Sequence, residues 1–282
     1  MPQPTGITGI DHVVILAQAL DRARETYERL GFTLTPRGMH TKLDTANHCI
    51  MLAENNYFEL LSVVKPQPLN ADFGAILKER EGLAALALKT DDARAAVPKL
   101  GAAGLGPKEA VDFSRPVDRP EGRREARFTV VHLDGAKTPG GRSFLCQHHT
   151  PELVWLPEYL EHENGALGLA RITLIAGNSD AAAGAYGTLF GAAPKSIAGG
   201  AEVATGNAPV RVLSPAAFAT AYPGEDGFAR HQPVFAVLSL RVRTPETAAA
   251  LLKKRGIGFA AIAGGIRLAA KDATGVVLEF LS

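Results

Sequence analysis

Two ionisable residues interrupt segments that otherwise read as buried: His12 within Ile10-Asp11-His12-Val13-Val14-Ile15 and Glu59 within Tyr57-Phe58-Glu59-Leu60-Leu61. Side chains alternate faces along a strand, so a polar residue in an apolar run points either to water or into a cavity. A carboxylate removed from water is costly unless it is paired or coordinates a cation. Glu59 therefore requires a partner, and His12 can supply one if the two strands lie side by side. Imidazole plus carboxylate is a usable start for a divalent metal with open positions. Taken singly, His12 reads as a hydrogen-bonded core histidine and Glu59 as a carboxylate on a solvated sheet face; the pair favours a shared site.

The turn-rich segment 36–47 carries polar groups where a loop can close over a cavity. Arg37 there suits a carboxylate or phosphate by its planar fork. His40 suits general acid or base work near neutral pH. His48, beside Cys49, is assigned no role and is expected to face solvent. Cys146 sits next to Gln147 near His148, but adjacent strand residues face opposite ways and neither neighbour is placed to take its proton, so it reads as a structural thiol. Gly199-Gly200 and Gly264-Gly265 lack the spacing of a phosphate loop. No Gly-x-Ser-x-Gly elbow occurs.

These residues must be positioned by strands and helices, and the chain shows one pattern four times. Apolar strands open at Ile10–Ala17, Leu83–Lys89, Leu169–Ala176 and Phe235–Val242, with helical segments such as Leu20–Leu30 and Pro245–Lys254 behind them and further apolar runs to close each unit. Repeats of this kind set the fold. The sequence predicts an α+β protein of four βαβββ modules, paired into two curved, mainly antiparallel sheet halves. In the first unit a helix is expected over Asp21–Leu30, stopped by Gly31, with strands at Phe32–Pro36, Asn47–Leu52 and Tyr57–Val63. Residues 1–149 form the first half and contain the site, 150–164 the linker with the single Trp155, and 165–282 the second half.

With 282 residues, 46% of them hydrophobic, and 30 basic against 29 acidic residues, the chain can bury a sizeable core and shows no charge excess for nucleic acid. The run 119–127 reads as a solvated loop. The two cysteines, both in apolar strands, suit a reducing compartment better than a disulfide framework. Met1-Pro2-Gln3-Pro4-Thr5 has no basic or apolar leader character, and no apolar stretch approaches membrane-spanning length. The expectation is a soluble cytoplasmic protein with no membrane partner; a homodimer is compatible with it.

Five strings, Asp11–Ala17, Tyr27-Glu28-Arg29-Leu30-Gly31-Phe32, Pro36–His40, Thr45-Ala46-Asn47 and Tyr57–Leu61, together resemble the glyoxalase-like branch of the vicinal oxygen chelate superfamily, which includes bleomycin-resistance proteins and extradiol dioxygenases. The resemblance is strong over residues 7–65 and extends through Cys146–Glu152. It implies paired βαβββ modules and, in many members, a divalent metal held by the first and last strands of two paired modules. Carried over, the metal ligands are His12 and Glu59, with Gln147 at the position in the second module that Glu59 occupies in the first. That module departs from the pattern at its first strand, where about Ala84 cannot ligate, and His148 or His149 are alternatives to Gln147. Asn47 and His148 join Arg37 as substrate-binding candidates. In the second half the corresponding positions are Arg171, about Val237 and Glu279; a guanidinium does not coordinate a cation, so that half reads as a structural duplicate with an Arg–Glu ion pair.

Two functions follow from the resemblance. The first is a metal-dependent lyase or isomerase acting on a small oxygen-rich substrate through an enolate-like intermediate, with a divalent ion as Lewis acid and Glu59 or His40 moving the proton. The second is a non-catalytic protein that sequesters a small organic molecule in the same cup, with or without a metal.

Overall fold

The structure, a computed structural model, describes residues 5–40 and 42–282; the leader reading over residues 1–4 lies outside it. The first module runs β1 (Ile7–Leu16), α1 (Leu20–Arg29), β2 (Gly38–His40), β3 (Thr45–Leu52) and β4 (Asn56–Val63). After α2 (Ala71–Glu79) comes the second: β5 (Gly82–Thr90), α3 (Ala93–Ala102), β6 (Val111–Arg119), β7 (Gly122–His132) and β8 (Arg142–His148). The third comprises β9 (Ala166–Ile175), α4 (Ser179–Phe190), β10 (Lys195–Ile197), β11 (Gly200–Val203) and β12 (Val210–Leu213). Following α5 (Pro215–Ala221), the fourth is β13 (Val234–Val242), α6 (Pro245–Lys254), β14 (Ala260–Ile262), β15 (Gly265–Leu268) and β16 (Val277–Leu281).

The strands form two eight-stranded mixed sheets, ordered β2-β3-β4-β1-β5-β8-β7-β6 and β10-β11-β12-β9-β13-β16-β15-β14. This is the α+β architecture of paired βαβββ modules expected from the repeats. First and last strands of a module pair in parallel, as β1 with β4, β5 with β8 and β13 with β16. The inner hairpins are antiparallel.

Two sequence expectations are corrected. Residues 32–36 form no strand: Phe32 turns inward among aromatic rings, and β2 begins only at Gly38. The basic run is no loop, because Arg119 ends β6 and Arg123, Arg124 and Arg127 lie on β7 of a long hairpin.

The chain packs as two compact units. One comprises the segment up to Asp11 with Ala85–Leu156 and Leu174–Val234; the other comprises His12–Ala84, Pro157–Thr173 and Phe235–Ser282. In the second unit α1 buries Leu20, Ala23 and Tyr27, a stripe at helical spacing. Gly31 then reverses the chain at φ +90°, a backbone conformation that glycine adopts without steric cost. Phe32 packs edge-on against Phe58 with centroids 5.2 Å apart and stacks on Phe280 at 6.0 Å. The buried Tyr27 hydroxyl donates to the Ala273 carbonyl at 3.2 Å. Phe58 and Phe280 thus define the helix-facing side of β4 and β16. Strand alternation puts Glu59 and Glu279 on the opposite side.

In the first unit α3 is capped by Asp92, whose carboxylate accepts from the Ala95 N–H at 2.9 Å. The Asn207 amide pairs with both backbone groups of Ile10, at 2.9 and 2.8 Å. Residues 150–156 turn back so that Leu153, Val154 and Leu156 are buried. No helix among the described residues is long and apolar enough to cross a membrane.

Candidate functional site

The parallel ladder of β1 and β4 aligns His12 with Tyr57 and Val14 with Glu59. Val14 stands two residues beyond His12, so His12 and Glu59 share one face of the sheet. The antiparallel ladder of β3 and β4 sets Cys49 opposite Glu59 and Asn47 opposite Leu61, on that same face. His12 is 4% exposed and stacks on the Tyr57 ring with centroids 4.2 Å apart.

Glu59 is 5% exposed. Its Oε1 accepts a 2.5 Å hydrogen bond from the Asn47 amide. The His40 Nε2 lies 3.7 Å from the same oxygen. The other imidazole nitrogen of His40 meets the Thr45 hydroxyl at 3.0 Å, across the β2–β3 ladder. Gly38 makes this possible: a Cβ there would collide with the Asn47 side chain. The structure therefore brings four of the expected residues, His12, His40, Asn47 and Glu59, onto two adjoining hairpin and ladder elements. An imidazole and a carboxylate on one sheet face, His12 and Glu59, are donor types that a divalent ion accepts. Among the described residues, His40 is the one basic side chain within 4.0 Å of the Glu59 carboxylate. The donor types of His12 and Glu59 fit the metal that the resemblance implies.

Arg37 is placed elsewhere. It is half exposed, 3.7 Å from Asp21, and lines an outer groove of about 470 Å³ with Arg24, His48 and Tyr159. His48, expected in solvent, is 5% exposed instead; its Nδ1 bonds the Thr35 carbonyl at 2.8 Å. It belongs to the helix-facing side of β3, one residue out of phase with Asn47 and Cys49.

In the other unit Gln147 is one residue out of phase with Cys146 and His148. Paired with Thr129 in the β7–β8 ladder, it faces α3. Its amide oxygen accepts from the Ala93 N–H at 3.0 Å and its amide nitrogen donates to the Asp91 carbonyl at 2.6 Å. Gln147 thus closes the start of α3, and both ends of its amide are in use. The alternative His149 meets the Thr129 hydroxyl at 2.7 Å. That hydroxyl also bonds Asp112, whose carboxyl is lowered to about 2, chiefly by its hydrogen bonds from Arg94 and Thr129.

His148 sits in a buried cluster that sequence reasoning missed. Its Nε2 lies 3.0 Å from Asp11 Oδ1 and 3.6 Å from Cys146 Sγ, and the ligating atoms of Asp11 and Cys146 fall within 4.8 Å of each other. Its Nδ1 is buried with no hydrogen-bond partner among the described residues. Phe128 meets the ring edge-on at 5.0 Å and Trp155 packs at 4.8 Å. The signal was available: Cys146 and His148 are two apart, the spacing that shares a strand face. The Cys–His reading was set aside on the parity of adjacent residues, which bears on Gln147 and not on His148.

Among curated proteins, none matches this chain significantly. Solved structures do. A hypothetical protein from Staphylococcus aureus superposes with a TM-score of 0.67 at 14% identity, over 96% of this chain and 98% of its own. A mutant 4-hydroxymandelate synthase from Streptomyces coelicolor gives 0.58 at 15%, over 92% and 77%. Methylmalonyl-CoA epimerase from Mycobacterium tuberculosis gives 0.38 at 20%, over 50% and 89%. The first two show a shared fold across nearly the whole chain. A family model described as a glyoxalase-like domain matches residues 10–190, more than half of the chain, and with the modular architecture described above this protein belongs to the glyoxalase-like domain family.

Proposed function

We propose that the protein is a metal-dependent lyase or isomerase acting on a small oxygen-rich substrate. The observation that carries this reading is Glu59: a carboxylate 5% exposed which, among the described residues, has one amide hydrogen-bond donor and an imidazole 3.7 Å away. Burial without a full counter-charge is expensive, and buried charges are paired or coordinate metals. His12 and Glu59 are the residues that would hold the metal. A divalent ion bound there would supply Lewis-acid stabilisation of negative charge developing on a substrate oxygen.

The chain's own residues do the rest. Asn47 fixes the Glu59 carboxylate by its 2.5 Å hydrogen bond. His40 has the exposure to meet a substrate, its side chain being 22% accessible, and Thr45 orients its ring through the other nitrogen. It is placed to take or return a proton at Nε2. Tyr57 stacked on His12 excludes water from one side of that imidazole.

The competing reading, a binding protein without turnover, draws on the second module. Ala84 stands where a first-strand ligand would be and is fully buried, and Gln147 is committed to α3. Elemental analysis of protein purified without chelator decides between them. Stoichiometric divalent metal in the wild type, lost in His12→Ala, supports the enzyme. A metal-free wild type that takes up no Mn²⁺, Fe²⁺, Ni²⁺ or Zn²⁺ on titration leaves only the binding protein.

A further inference from the structure

Arg171 of β9, Ser239 of β13, Arg267 of β15 and Glu279 of β16 converge on the side of their sheet opposite the helix-packed residues Leu278 and Phe280. Glu279 is 1% exposed. Its Oε2 accepts from Arg171 Nη2 at 3.0 Å and from the Ser239 hydroxyl at 2.7 Å. Its Oε1 accepts from Arg267 Nε at 3.2 Å and Nη2 at 3.1 Å. Two guanidiniums therefore surround one carboxylate, a local charge of +1.

The two cations are not used alike. Arg267 grips Glu279 with two nitrogens, enough to neutralise it. Arg171 spends one, and its Nε is buried with no hydrogen-bond partner among the described residues. A guanidinium has five N–H donors and no acceptor, and a donor buried without a partner destabilises the fold. Each arginine side chain remains about a fifth accessible while Glu279 is closed to solvent, so an incoming group meets cations and not the carboxylate. The ion pair expected from the sequence is present, yet one arginine would have sufficed for it.

We propose that Arg171, supported by Arg267, forms an anion site for the carboxylate of a small organic acid. The single excess charge matches a monoanion, and the planar fork of Arg171 matches the two oxygens of a carboxylate. A phosphate dianion would over-neutralise the cluster. Glu279 sets the excess charge and orients both guanidiniums. This site is independent of His12 and Glu59.

The test uses the full chain at constant ionic strength with chelator present, titrated with sodium benzoate, inorganic phosphate or chloride and read by calorimetry and thermal shift. Saturable benzoate binding to the wild type is expected, unchanged in Glu59→Gln, weakened at least tenfold in Arg171→Met and strengthened in Glu279→Gln as the local charge rises to +2. Should Arg171→Met not fold, Arg171→Lys keeps the charge, loses the fork, and is expected to weaken benzoate about tenfold. Wild type indifferent to benzoate beyond the chloride effect, equal binding by the Arg171 variant, or tighter binding of phosphate than benzoate would each overturn the proposal.

Discussion

Replacing Glu59 with Gln is expected to stabilise the metal-free protein. Among the described residues, the carboxylate's one hydrogen bond comes from Asn47, and a hydrogen bond to a charged group is worth about 1.5–3 kcal/mol net. His40 at 3.7 Å is beyond hydrogen-bond distance. Against this stands an effective desolvation penalty of several kcal/mol for a carboxylate that is 5% exposed. Gln has the same shape, keeps an oxygen for the Asn47 amide and sheds the charge, so the balance is a gain of roughly 2 kcal/mol, or about 5 °C in Tm for a chain of this size. Thermal unfolding in chelator measures it. In excess divalent metal the order reverses: a cation at 100 times its Kd adds about 2.7 kcal/mol to the wild type and little to the variant. If Glu59→Gln lowers Tm in chelator, the fold itself satisfies the carboxylate's charge, and the argument that Glu59 awaits a cation fails.

Gln147→Glu is expected to leave metal affinity unchanged and to cost about 1–2 kcal/mol in chemical unfolding, because the donor to the Asp91 carbonyl is lost and a charge is set near Asp91 and Asp92; tighter metal binding would return Gln147 to the ligand set. Gly38→Val is expected to displace Asn47 and so mimic Asn47→Ala in metal titrations, weakening binding several-fold with β3 still paired; unaltered affinity refutes the role given to that contact. His162 accepts from the Thr33 N–H at 3.1 Å and donates to the Met51 carbonyl at 2.8 Å, and burial holds its pKa below the usual 6.5. The unfolded chain therefore binds more protons below about pH 6.5, so stability falls as pH drops through that value and towards the folded-state pKa; His162→Gln should flatten this slope in unfolding curves between pH 7 and 5, and an unchanged slope assigns it to other groups.

The amino-acid sequence by itself determined the modular plan. Apolar strand starts followed by helices recur because each unit needs one face against its helix, and that requirement is written locally as residue type. It also singled out His12 and Glu59, since an ionisable residue in an apolar run violates the pattern whatever the tertiary structure. The position of β2 was not legible, because Phe32 is as apolar as a strand residue but is consumed by the aromatic core with Phe58 and Phe280. Register was decided only by the tertiary structure. Strand side chains have a period of two, so an error of one residue exchanges every side chain between faces; aligning Gln147 with Glu59 made that error, and it carried Gln147 to α3 while His148 met Asp11 and Cys146. Partners distant in sequence were likewise invisible beforehand: Asn47 on Glu59 and Arg267 on Glu279 are set by hairpin pairing, and pairing depends on which strands the folded chain lays side by side, not on the residues within any one of them.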